Sequence, residues 1–280
     1  MKGSGPFLML MSVFLFTAAN VLVKLISDLP TTQIVFLRSS ISLLMCASFV
    51  LYKGFPFFGK NKKWLLIRGV FGMIALTLFF YTIQNIPLAS ATVIQYLSPV
   101  FTVILAMIWL GQKVRPIQWL FLAIAFVGVI LVKGPDNSDV PLKFLFIGVT
   151  AAFLAAVAYF ATMKCKDTDH PVLIVMYFHL LATPIMGGVS SVNWVPIDTN
   201  TLLIGLSVGV LSVLAQVAMA FAIHKEDASV VTPIKYVGAI FALAIGYFYF
   251  GEELSGMAIL GIFLVIAGVT LNTFAKRPSS

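Results

Sequence analysis

No acidic residue falls inside any of the long apolar runs of this chain. Its ten carboxylates, Asp28, Asp136, Asp139, Asp167, Asp169, Asp198, Glu226, Asp227, Glu252 and Glu253, all lie in predicted loops or at predicted helix ends. That distribution excludes the buried Asp or Glu that usually relays protons in pumps, and it excludes the paired carboxylates of an acid–base enzyme. Charge is scarce altogether: 10% of residues are charged and 60% are hydrophobic, against about 25% charged in a typical soluble domain. Cysteine is scarcer still. Cys46 falls in a predicted membrane span and Cys165 in a predicted cytoplasmic loop, so neither a structural disulfide nor a metal-ligand spacing is present. Nothing in the chain calls for a metal or a cofactor.

What is abundant is apolar length, with a mean hydropathy of +1.04. A spanning helix needs roughly 20 mostly apolar residues, and ten windows qualify: Gly5 to Ile26, Thr31 to Tyr52, Trp64 to Gln84, Leu88 to Leu110, Pro116 to Val132, Phe144 to Met163, Pro171 to Val189, Leu202 to Ile223, Ala228 to Phe250 and Ser255 to Ala275. With the N-terminus in the cytoplasm, twelve basic residues fall on the inner side and two, Lys133 and Lys143, on the outer. This asymmetry predicts both termini in the cytoplasm, in the cell (inner) membrane. The net charge of +8 is thus mostly a topological signal, and nucleic acid is not an expected partner. Lys2 and the apolar run behind it are expected to form a retained first helix, because cleavage would leave an odd number of spans.

The stretch from Gln95 to Leu131 returns weakly 140 residues later: Tyr96, Phe101, Gly111, Leu120, Gly128, Val129 and Leu131 recur as Tyr236, Phe241, Gly251, Leu260, Gly268, Val269 and Leu271. After Gly111 the loop is basic, with Lys113 and Arg115, whereas after Gly251 it is acidic, with Glu252 and Glu253. Opposite charge fits opposite sides of a bilayer. The fold class expected is therefore an all-α integral membrane protein of ten transmembrane helices, two inverted five-helix repeats (1–138 and 139–280) around a central cavity.

Polar residues recur at three- and four-residue steps, which places each set along one stripe of a helix. The stripes are Thr17, Asn20 and Lys24; Thr77, Tyr81 and Gln84; Thr92, Gln95, Ser98 and Thr102; Ser212 and Gln216; and Ser229, Thr232 and Lys235, with Tyr236 beside it. Single hydroxyls of this kind commonly act as glue between helices, but several stripes together favour a shared wet cavity. Lys235 lies about 10 Å inside a core about 30 Å thick, so it is a candidate contact for an anionic substrate. Its repeat partner is Gln95. Pro99 and Pro233 sit nearby, where a missing N–H kinks a helix and frees carbonyls. Arg38 has similar depth and is expected to be a structural cation, Arg68 is expected to snorkel to the interface, and His179 is expected to be a packing histidine.

These residues resemble the EamA family of the drug/metabolite transporter superfamily. The resemblance rests on Pro87 to Thr92 entering the fourth span, Ser98 to Phe101, Gly111 with its basic turn, Ala228 and Ser229, Pro233 to Tyr236, and Gly251 with Glu252; Arg38 matches a basic residue of the family's second span. It implies a basket of ten helices whose cavity is lined largely by the third, fourth, eighth and ninth spans, with Tyr81, Gln84, Gln95, Gln216, Lys235 and Tyr236 as substrate contacts. It implies a secondary transporter, and the deep Lys235 in a chain whose carboxylates are all peripheral predicts a small organic metabolite bearing an anionic group, moved by uniport or exchange. The alternatives are an importer of the S-adenosylmethionine type, a broad-specificity exporter and, least favoured, a non-transporting scaffold. Membrane lipids are partners, and a homodimer is one option for the assembly.

Overall fold

In hydrocarbon every backbone N–H and C=O must be satisfied within the segment, so apolar runs of this length fold as helices. The computed structural model describes residues 4–110, 116–132, 140–165, 168–225 and 232–275. Its helices are α1 (Ser4–Leu25), α2 (Thr31–Tyr52), α3 (Lys62–Asn85), α4 (Leu88–Gln95), α5 (Ser98–Leu110), α6 (Pro116–Val132), α7 (Leu142–Cys165), α8 (Pro171–Val192), α9 (Thr199–Lys225), a 3-10 segment (Thr232–Tyr236), α10 (Val237–Phe250) and α11 (Gly256–Ala275). Lys2, Gly111, Lys113, Arg115, Lys133, Asp136, Asp139, Asp167, Glu226, Asp227, Ala228 and Ser229, all used in the sequence argument, lie outside the described residues.

Among the described residues seven helical stretches are long and apolar enough to cross a membrane, and three shorter apolar helices (Pro116–Val132, Ile234–Phe250 and Gly256–Asn272) accompany them. Together they correspond to the ten expected spans. Large apolar side chains point outwards, including Leu44, Ile130, Phe146, Phe248 and Phe263, while many of the buried positions are small: Ala19, Ala89, Ala125, Ala152, Ala182 and Ala239. Such an apolar exterior belongs in lipid, and small residues inside let helix backbones approach.

The helices pair in a definite pattern: α6 with α11, α3 with α7, α1 with α9, α2 with α8, and α4 with α10. Glycines set the closest approaches. A Cβ on Gly128 would stand 2.7 Å from the Gly261 carbonyl and the Val265 nitrogen, and one on Gly268 would stand 2.7 Å from the Phe121 carbonyl and 2.8 Å from the Ala125 nitrogen. In the same way Gly209 packs under Ile41 and Gly69 under Leu181.

One end of the bundle is tied by Asp169, whose carboxylate accepts the N–H of Lys60 (2.6 Å) and of Asn61 (3.2 Å) and the Thr168 hydroxyl (2.7 Å). Lys53, Lys62, Lys63 and Lys164 belong to this end. Cys165, expected in a loop, is instead the buried last residue of α7, packed with Leu65, Ile174 and Tyr177. The opposite end is tied by Glu252. Gly251 takes φ +64°, a conformation that glycine adopts without a Cβ penalty, and ends α10 so that the Glu252 N–H turns back to the Gly246 carbonyl at 2.9 Å. The Glu252 carboxylate then pairs with Lys24 and accepts the Leu88 N–H at 2.8 Å, at the start of α4, while Lys24 also donates to the Ile86 carbonyl at 2.9 Å. At this same end the loop before α9 is held to α2 by Gln33, which donates to the Val195 carbonyl and accepts its N–H.

Candidate functional site

The fourth span is interrupted between Gln95 and Ser98, the described part of the ninth opens with a 3-10 segment, and the two meet there. Pro99 lacks the N–H that would donate to the Gln95 carbonyl, so α4 stops at Gln95. Tyr96 and Leu97 make a tighter turn, donating to the carbonyls of Val93 (3.0 Å) and Ile94 (3.1 Å), and α5 restarts at Ser98. Pro233 falls within the 3-10 segment, whose tighter winding precedes α10. The two segments are locked together: the Tyr96 hydroxyl donates to the Lys235 carbonyl at 2.7 Å, and the rings of Tyr96 and Tyr236 meet edge to face at 5.2 Å.

Around this contact lies a cavity of about 220 Å³. Its polar lining comes from Ser12, Thr17 and Asn20 on α1, Thr92 and Gln95 on α4, Tyr159 on α7, Ser212 and Gln216 on α9, and Lys235 with Tyr236 between α9 and α10. Three cations reach it, Arg38 from α2, Arg68 from α3 and Lys235, and no Asp or Glu is among the lining residues. The ammonium of Lys235 stands 5.0 Å from the Tyr159 ring centroid. The guanidinium carbons of Arg38 and Arg68 stand 5.4 and 5.3 Å from the Phe178 ring centroid, with Arg38 also 5.6 Å from Phe80. These aromatic faces partly offset the cost of holding cations away from water.

Several buried polar atoms in this wall have no protein partner: Nε and Nη1 of Arg38, Oε1 of Gln95 and Oε1 of Gln216. Native interiors satisfy nearly all such atoms, so their convergence on one cavity suits a polar ligand. Other hydroxyls in the lining are spent locally. Thr17 and Thr92 donate to the carbonyls of Val13 and Leu88, one turn back, and Ser12 donates across to the Ala215 carbonyl at 2.8 Å.

Of the residues expected at the site, Gln95, Gln216, Lys235, Tyr236 and Pro99 line the cavity. Tyr81 and Gln84 do not. Tyr81 lies against Phe144 at 5.8 Å, and Gln84 is occupied at the end of α3, where it accepts from the Thr31 hydroxyl and donates to the carbonyls of Leu29 (2.8 Å) and Ser27 (3.1 Å). Three further departures concern neighbours that spacing alone does not reveal. Arg38, expected to be a structural cation, is buried in the cavity wall with two nitrogens unpartnered among the described residues, and Arg68, expected to snorkel, lines the cavity. Tyr159 enters because Ala155 and Ala158 leave room on the same face of α7; the alanine-rich run from Ala151 to Ala161 was the available signal. The lining therefore draws on the first, second, sixth and seventh spans as well as the four expected.

The EamA-like transporter family model matches this chain twice, over residues 3–134 and 142–274. The chain belongs to the EamA-like transporter family. It is 31% identical over 280 residues to the pseudopaline exporter CntI of Pseudomonas aeruginosa, covering 98% of this chain and 97% of that protein. It is 28% identical over 282 residues to human solute carrier family 35 member G1, covering 95% of this chain and 77% of that protein, and 26% identical over 249 residues to the riboflavin transporter of Vibrio cholerae, covering 88% and 83%. A solved crystal structure aligns over 100% of both chains with a TM-score of 0.70 at 15% identity, which shows a shared fold. Membership in this family of drug/metabolite transporters makes the chain an integral membrane transporter and not an enzyme.

Proposed function

We propose that this EamA-family transporter moves a small organic metabolite bearing an anionic group through the central cavity by alternating access, as a uniporter or an exchanger. The observation that carries the reading is the charge of the cavity: among the described residues three cations and no carboxylate line it. Such a wall attracts a carboxylate or phosphate and repels a cationic drug. Lys235 is the main charge contact, with Gln95, Gln216 and Tyr236 orienting the substrate. The cavity has no acidic lining for a conventional proton relay. The 31%-identical relative is named an exporter, which favours net movement outwards.

Alternating access requires two related half-structures, and the contacts favour that arrangement. Adding or subtracting 140 converts Gly128–Gly261 and Gly128–Val265 into Gly268–Phe121 and Gly268–Ala125, and Gly209–Ile41 into Gly69–Leu181. Tyr96 and Tyr236, equivalent by the same offset, touch each other, as residues on a two-fold axis must. The helix pairing is likewise unchanged when each of the first five spans is exchanged for its counterpart five spans on. Because five is odd, the halves lie opposite ways up, with the axis in the membrane plane. The lysine-rich end is assigned to the cytoplasm of the inner membrane.

Proteoliposomes test the transport reading. A panel of labelled amino acids and carboxylate-bearing metabolites should include at least one with saturable flux that persists without a pH gradient and collapses in Lys235→Ala. Flux strictly dependent on a proton gradient, or no flux of any anionic member while a neutral or cationic one moves, overturns it.

A further inference from the structure

The two arginines in the cavity have no place in a site built on Lys235 alone. Arg38 is 2% exposed, its Nε and Nη1 have no hydrogen-bond partner, and its charged neighbour is Arg68. Neither arginine is joined to a carboxylate among the described residues. Both guanidinium groups lie against the single ring of Phe178, one from α2 and one from α3. A structural arginine in hydrocarbon ordinarily spends its donors on carbonyls or a carboxylate. Here two like charges share one aromatic ring, an arrangement that is costly unless an anion joins them. Lys235 stands over a second ring, that of Tyr159 on α7.

Resting on the transport reading above, we propose that the cavity is a two-pole anion site: Arg38 and Arg68 over Phe178 grip one carboxylate or phosphate of the substrate, and Lys235 over Tyr159 grips a second. The substrate class is thus a metabolite with two anionic groups on one skeleton, the intervening part packed against Phe79, Leu76 and Ala75, which supply the apolar wall. Guanidinium suits the first pole because its planar fork bonds a carboxylate or phosphate through two parallel N–H donors, whereas an ammonium supplies a point charge. A zwitterion with a single carboxylate satisfies one pole and leaves the other unpaired.

The test uses full-length protein in lipid nanodiscs and measures binding of the straight-chain dicarboxylates from malonate to suberate, each beside the monocarboxylate of equal length. Dicarboxylate affinity should pass through an optimum at one chain length and exceed the matched monocarboxylate there by about ten- to a hundredfold, the worth of one more charge-assisted contact. Arg38→Gln and Arg68→Gln should each erase that preference, Arg38→Lys should retain part of it, and Lys235→Gln should weaken both ligands. Arg38→Lys, together with Phe178→Leu, which keeps every charge but removes the shared ring, guards against a variant that fails to fold. Dicarboxylates no tighter than monocarboxylates at any length overturn the two-pole site, as does a preference that survives both arginine changes. Monocarboxylate binding that depends on Lys235, without any dicarboxylate preference, leaves the transport reading standing and removes only this inference. No binding by any member overturns the two-pole site and leaves the transport reading to the flux panel.

Discussion

On the proposed reading Lys235 is one of three cations that could hold the substrate anion, and its share can be measured. A hydrogen bond to a charged group contributes about 1.5–3 kcal/mol, so Lys235→Ala should weaken binding of the transported anion by about ten- to a hundredfold, and Lys235→Arg should keep part of it. Calorimetric titration of purified, monodisperse variants checks this; affinity unchanged in Lys235→Ala would remove the contact. The depth of Lys235, Gln95 and Gln216 was legible in sequence because each lies within an apolar run at helical spacing from other polar groups. Tyr81 and Gln84 share a stripe by the same rule, yet Gln84 sits at the last turn of α3, where free backbone carbonyls at Ser27 and Leu29 claim its amide. A stripe records which residues share a face and says nothing of how far along the helix the cavity reaches. The converse holds for Arg38 and Arg68: their charge is plain in the sequence, but the ring they share belongs to α8.

Among the elements, the end tied by Glu252 is where a change of contacts is expected to alter access to the cavity. The Lys24–Glu252 pair joins α1 to the loop between α10 and α11 and caps the start of α4 through the Leu88 N–H. By the 140-residue offset in sequence, the position equivalent to Glu252 is Gln112, which lies outside the described residues. Glu252→Gln should weaken this closure selectively. A cysteine placed at Asn20, which lines the cavity, should then react several-fold faster with a membrane-impermeant reagent added from the Glu252 end. Unchanged labelling would show that the pair does not hold that end shut. The packing of α6 on α11 supplies a second test. Gly128→Leu and Gly268→Leu each drive a side chain into backbone of the facing helix and should lower stability by about 1–3 kcal/mol, to similar extents if the halves are equivalent. A large loss at one position and none at the other, in thermal unfolding, would argue against equivalence. The interruption before Pro99 was foreshadowed by proline chemistry, whereas the contact of Tyr96 with Tyr236 was not, since it joins residues 140 apart in sequence.

For the whole molecule, hydropathy made the helical membrane architecture readable, since lipid leaves the backbone few alternatives. Pairing between helices was less legible: apolar faces are nearly interchangeable in lipid, and the glycines that set close approach do not announce their partners. Topology gives a direct check. In intact cells a cysteine at Lys62 should resist an impermeant thiol reagent and one at Lys143 should react; the reverse pattern would turn the bundle over.

The central claim is that the cavity is an anion-binding transport site, and thermal stabilisation of the purified protein by a charge-sorted metabolite library tests it most directly. Ligand that binds only the folded state raises the unfolding temperature. Anionic or zwitterionic members alone should stabilise the parent, and their effect should be lost in Lys235→Ala protein that is otherwise folded. Stabilisation by cationic metabolites, or a response identical in Lys235→Ala, would contradict the account.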